Sequence, residues 1–423
     1  MKYFNPANLA IISCPGGEVF ADEVIEHLRH KYRHSRRHYV EGISRQYGIS
    51  VEQANLQIEL INKIVTRGAT YQSGSDNSGS FKVPVKFTQF PNGEVKSEIE
   101  ESIRGKDIYI FQDVENRYPV NFSNGIVTTL STNDHLMTIF VTVDAARQAG
   151  ANRIVLVIPN YPYARQHKAK GREGLSASRI GKIFESLGVD HIITLDIHSR
   201  DITNSFNKIR LENLHASYQI IQILTKMDGV LNDDFVVVSP DTGAVDRNKF
   251  YASSLKKPLA LLYKERDYSK VAKDATQSNI SQIRLLGSVK DKTVFMADDM
   301  LGTGGTLIKG MRHLKENGAR RIICAISLPL FSGNAISHFD DAYNEGLFYR
   351  IIGTNAVYQE EVIKREWYIN VNITKLFAHV ISRLHQNQSV SSLLDNAGII
   401  NRLLSQKSFE PQNELPFIQD EGE

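Results

Sequence analysis

The sequence predicts an α/β protein with two doubly wound domains, mainly parallel sheets and a helical insertion in the first domain. Short β-branched runs alternate with amphipathic stretches along most of the 423 residues, and this alternation is typical of parallel sheets covered by helices. Several runs are apolar throughout, as expected of strands buried on both faces. Because about 14 such elements exceed one sheet, we divide the chain into domains at 1–212 and 213–390 and a tail at 391–423.

The individual elements follow from the local pattern of apolar residues. Apolar runs rich in β-branched residues predict strands at Leu9–Ser13, Asp107–Gln112, Arg153–Ile158, His191–Leu195, Asp234–Val238, Thr293–Ala297 and Arg320–Ile326. Helical periodicity predicts helices at Val51–Thr66, Asp134–Ala149, Ser176–Leu187, Leu214–Met227 and Thr306–Glu316.

Three segments interrupt the alternation of strands and helices. An insertion at 30–80 contains the basic, His-rich stretch HKYRHSRRHY, and a Ser/Gly-rich linker ends it. We interpret the basic stretch as a solvated helix face, with binding of a phosphate or polyanion as the alternative. Residues 114–133 are predicted to form a polar loop. The tail ends in PQNELPFIQDEGE, whose composition predicts partial disorder.

Composition gives little indication of binding partners. A net charge of +3 does not favour nucleic acid or a membrane surface as a partner, and no run of about 18 apolar residues predicts a membrane span. The first residues lack the features of a signal peptide. Cys14 and Cys324 lie in apolar runs without metal or redox spacing, so we predict buried free thiols. We therefore expect a cytoplasmic protein.

The most specific motif is VFMADDMLGTGGTLIKG at residues 294–310. An apolar strand leads into two carboxylates, Asp298 and Asp299, and then into a Thr-Gly-Gly-Thr turn that starts a helix. Glycines let the backbone approach an anion, and the first N–H groups of a helix point towards it. The motif therefore predicts a site for a phosphate monoester, with the carboxylates facing the hydroxyl groups of the attached sugar. A glycine-rich turn with solvated acids is the alternative.

This motif resembles the phosphoribosyl-diphosphate binding motif of type I phosphoribosyltransferases and of 5-phosphoribosyl 1-diphosphate (PRPP) synthetases. The resemblance implies a type I phosphoribosyltransferase-like fold and a ribose 5-phosphate site. The residues that it assigns to this site are Asp298, Asp299, Gly302, Thr303, Gly304, Gly305 and Thr306. Gly302 departs from the family pattern, because a third aspartate usually stands there.

Two further segments resemble the nucleotide-binding segments of PRPP synthetases. FPNGEV at 90–95 and YPYARQ at 161–166 are followed by strand and helix patterns in the family's order. The resemblance implies that ATP is bound by Phe90, Asn92, Glu94, Arg165 and Gln166. By itself, the first segment is equally well explained as a turn followed by a strand. Asn92 and the next residue after the second segment, His167, stand where the family often has aspartate.

The resemblance also implies metal and catalytic residues. TLDIHS at 194–199 assigns His198 to magnesium, and the turn after VVVSP assigns Asp241 to magnesium or to the ribose. On chemistry alone, His198 would be a satisfied polar group, because magnesium prefers oxygen ligands. Lys264 and Arg266 match a Lys-x-Arg pair on a mobile catalytic loop of the family. Without the resemblance, they would be part of a solvated charge run.

Together, the motifs imply a ribose-phosphate diphosphokinase that uses ATP as co-substrate and Mg²⁺ as cofactor. Such an enzyme transfers the diphosphoryl group of ATP to the 1-hydroxyl of ribose 5-phosphate. The family also implies a homo-oligomer, either a dimer or a hexamer. Two alternatives remain: a non-catalytic regulatory relative, favoured by the departures at Gly302 and His167, and a phosphoribosyltransferase. A phosphoribosyltransferase needs neither the FPNGEV segment nor the YARQ segment.

Overall fold

A computed structural model describes residues 8–65, 81–169, 171–227, 229–231, 234–266 and 280–405. The side chains of residues 61–65, 264–266 and 280–282 lie outside this description. So do the predicted Ser/Gly-rich linker and the end of the predicted tail, from residue 406 onward.

Strands and helices alternate along the chain as predicted. The elements of the first half are β1 (Leu9–Ser13), α1 (Glu18–Tyr47), α2 (Val51–Val65), β2 (Val85–Gln89), β3 (Val95–Ile99), β4 (Asp107–Phe111), β5 (Val120–Asn121), β6 (Val127–Thr128), α3 (Thr132–Gln148), β7 (Arg153–Val157), α4 (Ser176–Ser186), β8 (His191–Leu195), a 3₁₀ helix (Arg200–Ser205) and β9 (Arg210–Leu214). Those of the second half are α5 (Ser217–Lys226), β10 (Phe235–Ser239), α6 (Val245–Leu255), β11 (Leu259–Arg266), β12 (Ile280–Leu286), β13 (Thr293–Leu301), α7 (Gly305–Glu316), β14 (Arg321–Pro329), α8 (Ala335–Asn344), β15 (Arg350–Thr354), a 3₁₀ helix (Val362–Lys364), β16 (Tyr368–Val371), α9 (Thr374–His385), α10 (Ser391–Leu394) and α11 (Ala397–Ser405).

Two mainly parallel sheets confirm the predicted fold class. The first has the strand order β1-β4-β7-β8-β9 and is parallel throughout. The second has the order β12-β11-β10-β13-β14-β15-β16, and only β12 runs antiparallel to its neighbour. The central strands are buried over their length because helices cover both faces of such sheets. Two small hairpins, β2–β3 and β5–β6, stand apart from the sheets. Cys14 and Cys324 are buried free thiols, as predicted.

The first sheet extends further along the chain than the predicted domain boundary at 212. Arg210–Leu214 forms β9, which pairs with β8. The helix that we predicted from Leu214 begins at Ser217 instead. Arg210 is exposed and the next three residues are only partly buried, because β9 lies at the edge of the sheet. An edge strand needs few apolar residues, so the sequence pattern did not reveal it.

The C-terminal helices pack back onto the rest of the chain. Helix α9 contacts α1, where the rings of Phe20 and Phe377 lie 5.1 Å apart. Tyr109 of β4 donates a hydrogen bond to the carbonyl of Ile381 over 3.5 Å. Helices α10 and α11 lie within the predicted tail, and α11 contacts α5 and α6 through buried apolar residues. One hydrophobic cluster therefore runs from the first sheet to α11.

The insertion is helical, as predicted. Helix α1 spans 30 residues, well past the start of the insertion, and ends at Gly48. Helix α2 folds back against its second half, and a small cluster of Val40, Ala54 and Ile58 joins the two. The described residues include no helix with the length and apolarity needed to span a membrane.

Candidate active site

The carboxyl end of β13 carries the two acids of the most specific motif. Asp298 and Asp299 lie within the strand, which continues to Leu301, four residues beyond its predicted end. The reason is that β14 pairs with β13 as far as Leu301. Each acid accepts a hydrogen bond of 2.9 Å from the next residue's backbone N–H. These bonds hold both carboxylates at the strand exit.

His198 connects this strand end to the first sheet. Its Nδ1 lies 2.6 Å from Oδ2 of Asp299, across a separation of 101 residues in sequence. His198 follows β8, and its side chain remains 34% exposed. A bond from Nδ1 to a carboxylate leaves Nε2 available to a ligand. The sequence predicted both residues as site residues, and the structure brings them into contact.

A second buried acid, Asp196, lies two residues before His198. Its carboxylate accepts hydrogen bonds from His215 Nδ1 (2.7 Å), Ser327 Oγ (2.6 Å) and the backbone N–H of Ala216 (3.2 Å). Nη1 of Arg247 lies 3.2 Å from it. Burial alone would raise the pKa of Asp196, but the charges of Arg247 and His215 outweigh burial and hold it well below its usual value.

Arg247 and Asp196 are site residues that our sequence reasoning missed. Asp196 lies two residues before His198, in the same strand-end motif, so its position was a usable signal. Arg247 follows the Asp-Thr-Gly turn on α6, and only the fold shows that it faces Asp196. The positive charge of Arg247 also acts on Asp298 and Asp299.

Burial and charge separate the two acids of β13. Burial and the neighbouring charge of Asp299 raise the pKa of Asp298. Burial also acts to raise the pKa of Asp299, but the hydrogen bond from His198 and the charge of Arg247 outweigh it and lower that pKa. Asp299 is therefore the ionised member of the pair, and Asp298 resists ionisation until a cation or a donor approaches it.

Asp298→Asn should make the ligand-free protein more stable at pH 8, by more than about 1.4 kcal/mol, the equivalent of one pKa unit. The folded-state pKa of Asp298 is raised above the unfolded value of 3.8. Between these two pKa values, the fold becomes less stable as pH rises. Asparagine keeps the acceptor for the Asp299 N–H. Urea unfolding at pH 4 and pH 8 measures the effect, which should vanish at pH 4.

The matched control for this prediction is Asp299→Asn. The folded-state pKa of Asp299 is lowered, so its ionised form stabilises the fold at any pH above the unfolded pKa. Asp299→Asn should therefore make the protein less stable at pH 8. An Asp298→Asn protein that is no more stable than the unsubstituted chain at pH 8 would contradict the predicted direction.

The glycine-rich turn starts α7, as the motif predicted. Gly304 caps the helix with a φ of +75°, and a side chain there would collide with the ring of Phe339. Thr303 and Thr306 are exposed on either side of it. The first backbone N–H groups of α7 have no partner within the helix, which is the arrangement that binds phosphate at helix N-termini.

Gly302 lies next to a cation from the first half of the chain. A Cβ on Gly302 would be 3.6 Å from Nη1 of Arg165, an ordinary van der Waals distance. Arg165 and Gln166 line a cleft of about 420 Å³ together with Met300, which follows the acids of β13. The structure thus brings a predicted ATP residue to the edge of the predicted ribose 5-phosphate turn.

His167 lies beside His198. Their ring centroids are 5.3 Å apart and their planes are 69° from parallel. Nδ1 of His167 is 3.2 Å from the carbonyl oxygen of Ala164. His167, which stands where the family has aspartate, is therefore in contact with His198, the predicted metal ligand.

Asp241 lies in the turn between β10 and α6. Its Oδ1 accepts hydrogen bonds from the backbone N–H groups of Gly243 (2.9 Å) and Ala244 (3.0 Å). Its charge contributes to the raised pKa of Asp298. Asn248 of α6 then fixes α6 to β13 through two bonds to the backbone of Ala297, of 2.8 and 2.9 Å.

The predicted adenine residues are not part of this cluster. Phe90, Asn92 and Glu94 lie on the exposed turn between β2 and β3, where Phe90 is 44% exposed. Oδ1 of Asn92 accepts a bond of 3.2 Å from the N–H of Glu94. None of the three is among the residues described as lining the cleft.

Lys264 and Arg266 lie in β11 rather than on a loop. Their backbones pair with Ile283 and Ile280 of β12, with a shift of register just before Arg266. Residues 267–279, which follow β11 in the chain, lie outside the described residues, as do the side chains of Lys264 and Arg266.

Comparisons with known proteins match both halves of the chain. The sequence matches the N-terminal domain of ribose phosphate pyrophosphokinase over residues 10–188 and the phosphoribosyl transferase domain over residues 210–354. It is 33% identical to ribose-phosphate pyrophosphokinase 2 of Enterococcus faecalis, over 73% of this chain and 87% of that protein. It is 33% identical to ribose-phosphate pyrophosphokinase A of Dictyostelium discoideum, over 79% of this chain and 98% of that protein. The crystal structure of phosphoribosylpyrophosphate synthetase from Mycobacterium smegmatis aligns with a TM-score of 0.64 and 25% identity, over 90% of this chain and 99% of that one.

Proposed function

The chain belongs to the ribose-phosphate pyrophosphokinase family, and we propose that it transfers the β,γ-diphosphoryl group of ATP to the 1-hydroxyl of ribose 5-phosphate. The products would be PRPP and AMP. The bond between His198 and Asp299 is the observation that carries this proposal, because it joins the metal motif of the first half to the sugar motif of the second.

Ribose 5-phosphate would bind at the end of β13. Its phosphate fits the turn at 302–306, where glycines let the backbone approach an anion and α7 begins. Its hydroxyls would then face Asp298 and Asp299, and Asp241 beyond them. A hydroxyl that donates to Asp298 supplies the partner that its buried carboxylate needs to stay ionised.

The ATP triphosphate would lie in the cleft beside this turn. Arg165 and Gln166 line the cleft, and a guanidinium suits phosphate oxygens because of its planar set of donors. Phe90, Asn92 and Glu94 would hold the adenine and ribose. Because their exposed turn does not line the same cleft, we propose that ATP lies across a boundary between two copies of the chain.

A mixture of two inactive variants, Phe90→Ala and Arg165→Ala, should recover activity if ATP spans two copies. Each mixed interface would contain one site with both defects and one site with neither. After mild dissociation and reassembly of equal amounts, we expect up to about a quarter of the unsubstituted activity from random pairing. Release of AMP measures it. Activity that stays at the sum of the two variants would place both residues in one copy.

Magnesium fits the residues present only together with substrate phosphates. Among the described residues, no three His, Cys, Asp or Glu side chains converge on one point. Magnesium in such enzymes is usually held by one or two protein groups, waters and phosphates. His198 through Nε2 and Asp241 would contribute to this set. Bound there, magnesium would neutralise charge on the phosphate oxygens.

The chemical step is a displacement at the β-phosphorus of ATP. The 1-hydroxyl oxygen forms a bond to this phosphorus and loses its proton to solvent. The bond from the β-phosphorus to the α–β bridging oxygen breaks, and AMP leaves with that oxygen. Such transfers depend on positioning and charge neutralisation rather than on covalent catalysis. Lys264 and Arg266 would supply positive charge to the β-phosphate and the bridging oxygen. The turn at 302–306 and Arg165 would keep the two substrates in line.

The direct test is an assay of AMP release with purified protein, ATP, ribose 5-phosphate and magnesium. We expect turnover that requires both substrates. Binding of both ligands without turnover would instead support the regulatory alternative. Two results together would support the phosphoribosyltransferase alternative. They are diphosphate release from PRPP that requires a nucleobase, and no AMP release from ATP and ribose 5-phosphate.

Gly302→Asp should weaken ATP binding rather than restore a family feature. The new carboxylate would lie next to Arg165 and pair with its guanidinium. We expect the KM for ATP to rise about fivefold, the equivalent of about 1 kcal/mol for an exposed ion pair, with a smaller change in kcat. Gly302→Asn, which adds the same volume without charge, is the control. An equal effect of both variants would show that volume, and not pairing with Arg165, is responsible.

A further inference from the structure

Helix α1 carries four histidines on one side. His27, His30, His34 and His38 are separated by three, four and four residues, and residues at these spacings are neighbours on a helix surface. The last three lie in the insertion at 30–80. This segment has no role in the proposed reaction.

His34 and His38 already have the geometry of a chelate. Their Nε2 atoms are 3.1 Å apart, and their rings are 79° from parallel with centroids separated by 4.5 Å. With metal–nitrogen bonds of about 2.0–2.1 Å, this separation of 3.1 Å corresponds to an angle of about 95–100° at a shared ion. That angle lies between square and tetrahedral coordination. Without an ion, the same contact is a single N–H···N hydrogen bond between opposite tautomers.

The site faces away from the rest of the insertion. Arg36 bonds to Glu59 of α2 over 2.9 Å and Val40 packs against α2. Arg36 and Val40 are each two positions from His38. At 3.6 residues per turn, His38 therefore points about 160–200° away from them, to the opposite side of the helix. His38 is exposed, and a hydrated ion can reach it from solvent.

Neighbouring groups do not add a third protein ligand. Glu41, one turn on from His38, is engaged by Arg37 over 2.9 Å and by Arg45 over 3.9 Å. The ring of His30 is stacked nearly parallel to that of His34, with centroids 6.4 Å apart. Within the described chain, no group of three metal-binding side chains is found. Waters would therefore complete the coordination of an ion.

We propose that Nε2 of His34 and Nε2 of His38 chelate a divalent transition-metal ion of the Zn²⁺, Ni²⁺ and Cu²⁺ class on the surface of α1. Imidazole nitrogen suits these ions, whereas Mg²⁺ prefers oxygen. Paired histidines one turn apart on a helix are a known way of binding such ions. The site is separate from the magnesium position proposed at His198, and it does not depend on the proposed function.

The test is isothermal titration of the full-length, EDTA-treated protein with NiCl₂ and, separately, ZnCl₂. His34→Ala and His38→Ala should each weaken one binding event at least about tenfold, since even the loss of an outer-shell partner of a metal ligand costs that much. Alanine favours helix, so α1 should persist, and circular dichroism checks this. His30→Ala is the matched control and should leave the event unchanged. MgCl₂ in excess should not displace the ion.

Electron paramagnetic resonance with one equivalent of CuCl₂ gives an independent readout. Hyperfine structure from two nitrogens should be seen in the unsubstituted protein and in His30→Ala, and lost in the other two variants. Titrations that do not distinguish His34→Ala and His38→Ala from the unsubstituted protein would overturn the proposal. So would an equal loss in His30→Ala, because it would remove the assignment to this pair.

Discussion

Lys264→Ala is expected to lower kcat for AMP formation at least about a hundredfold, the range seen when one transition-state donor is removed. The Kd values of ATP and ribose 5-phosphate should change much less. The reason is that the proposed role of Lys264 is to neutralise charge that develops on the β-phosphate and bridging oxygens only as the bond breaks. Steady-state rates and equilibrium binding of each substrate separate the two effects.

The control for Lys264 is Lys249→Ala, which removes one positive charge from an exposed position on α6. It should leave kcat within about twofold, because an exposed charge at a distance is screened by salt. A Lys264→Ala protein that keeps its rate but loses affinity would show that the lysine binds ground-state phosphate. In that case, Arg266 would become the candidate for charge neutralisation.

Arg247→Met should reduce the free energy of unfolding by about 3 kcal/mol or more, as expected when one partner of a buried ion pair is removed. Asp196 would keep three hydrogen-bond donors but lose the cation 3.2 Å away. Asp299 would lose part of the charge that keeps it ionised. Urea unfolding at pH 7.5, without ligands, measures the effect.

The sign of the pH dependence is fixed by Asp196. Its folded-state pKa is lowered, so its ionised form stabilises the fold above 3.8 and this contribution is lost as pH falls through the folded-state pKa. The deficit of Arg247→Met should therefore shrink towards acid pH. Arg312→Met is the control, because Arg312 pairs with Glu345 on the surface over 2.7 Å with both side chains about half exposed. It should cost less than about 1 kcal/mol, and an equal cost in both variants would contradict the role of Arg247.

Elements with a clear pattern of apolar residues could be predicted from the sequence with nearly correct bounds. The strands at Leu9–Ser13 and His191–Leu195 are as predicted, and the helix predicted from Thr306 begins one residue earlier. Edge strand β9 was missed because its residues are only partly buried. The end of β13 was also misplaced, because pairing with β14 holds Asp298 and Asp299 in the strand although they are charged.

The candidate site, too, could be predicted from the sequence only in part. The local motif predicted Asp298, Asp299 and the turn at 302–306, because a phosphate turn requires a fixed order of residues along one strand, turn and helix. His198 was predicted only through the family resemblance. The same motifs could not show that Asn92 and its neighbours lie on a separate exposed hairpin. Nor could they show that Lys264 is part of a paired strand.

By itself, the sequence determined the fold class, the family and the place of the glycine-rich turn, since each depends on residues close together in the chain. Only the tertiary structure decided which distant groups meet: His198 with Asp299, Arg247 with Asp196, and Arg165 with Gly302. Each of those contacts joins a residue of the first half of the chain to one of the second half. Their distances are set by how the sheets and α9 pack against one another, and apolar packing of that kind leaves no mark in the local sequence pattern.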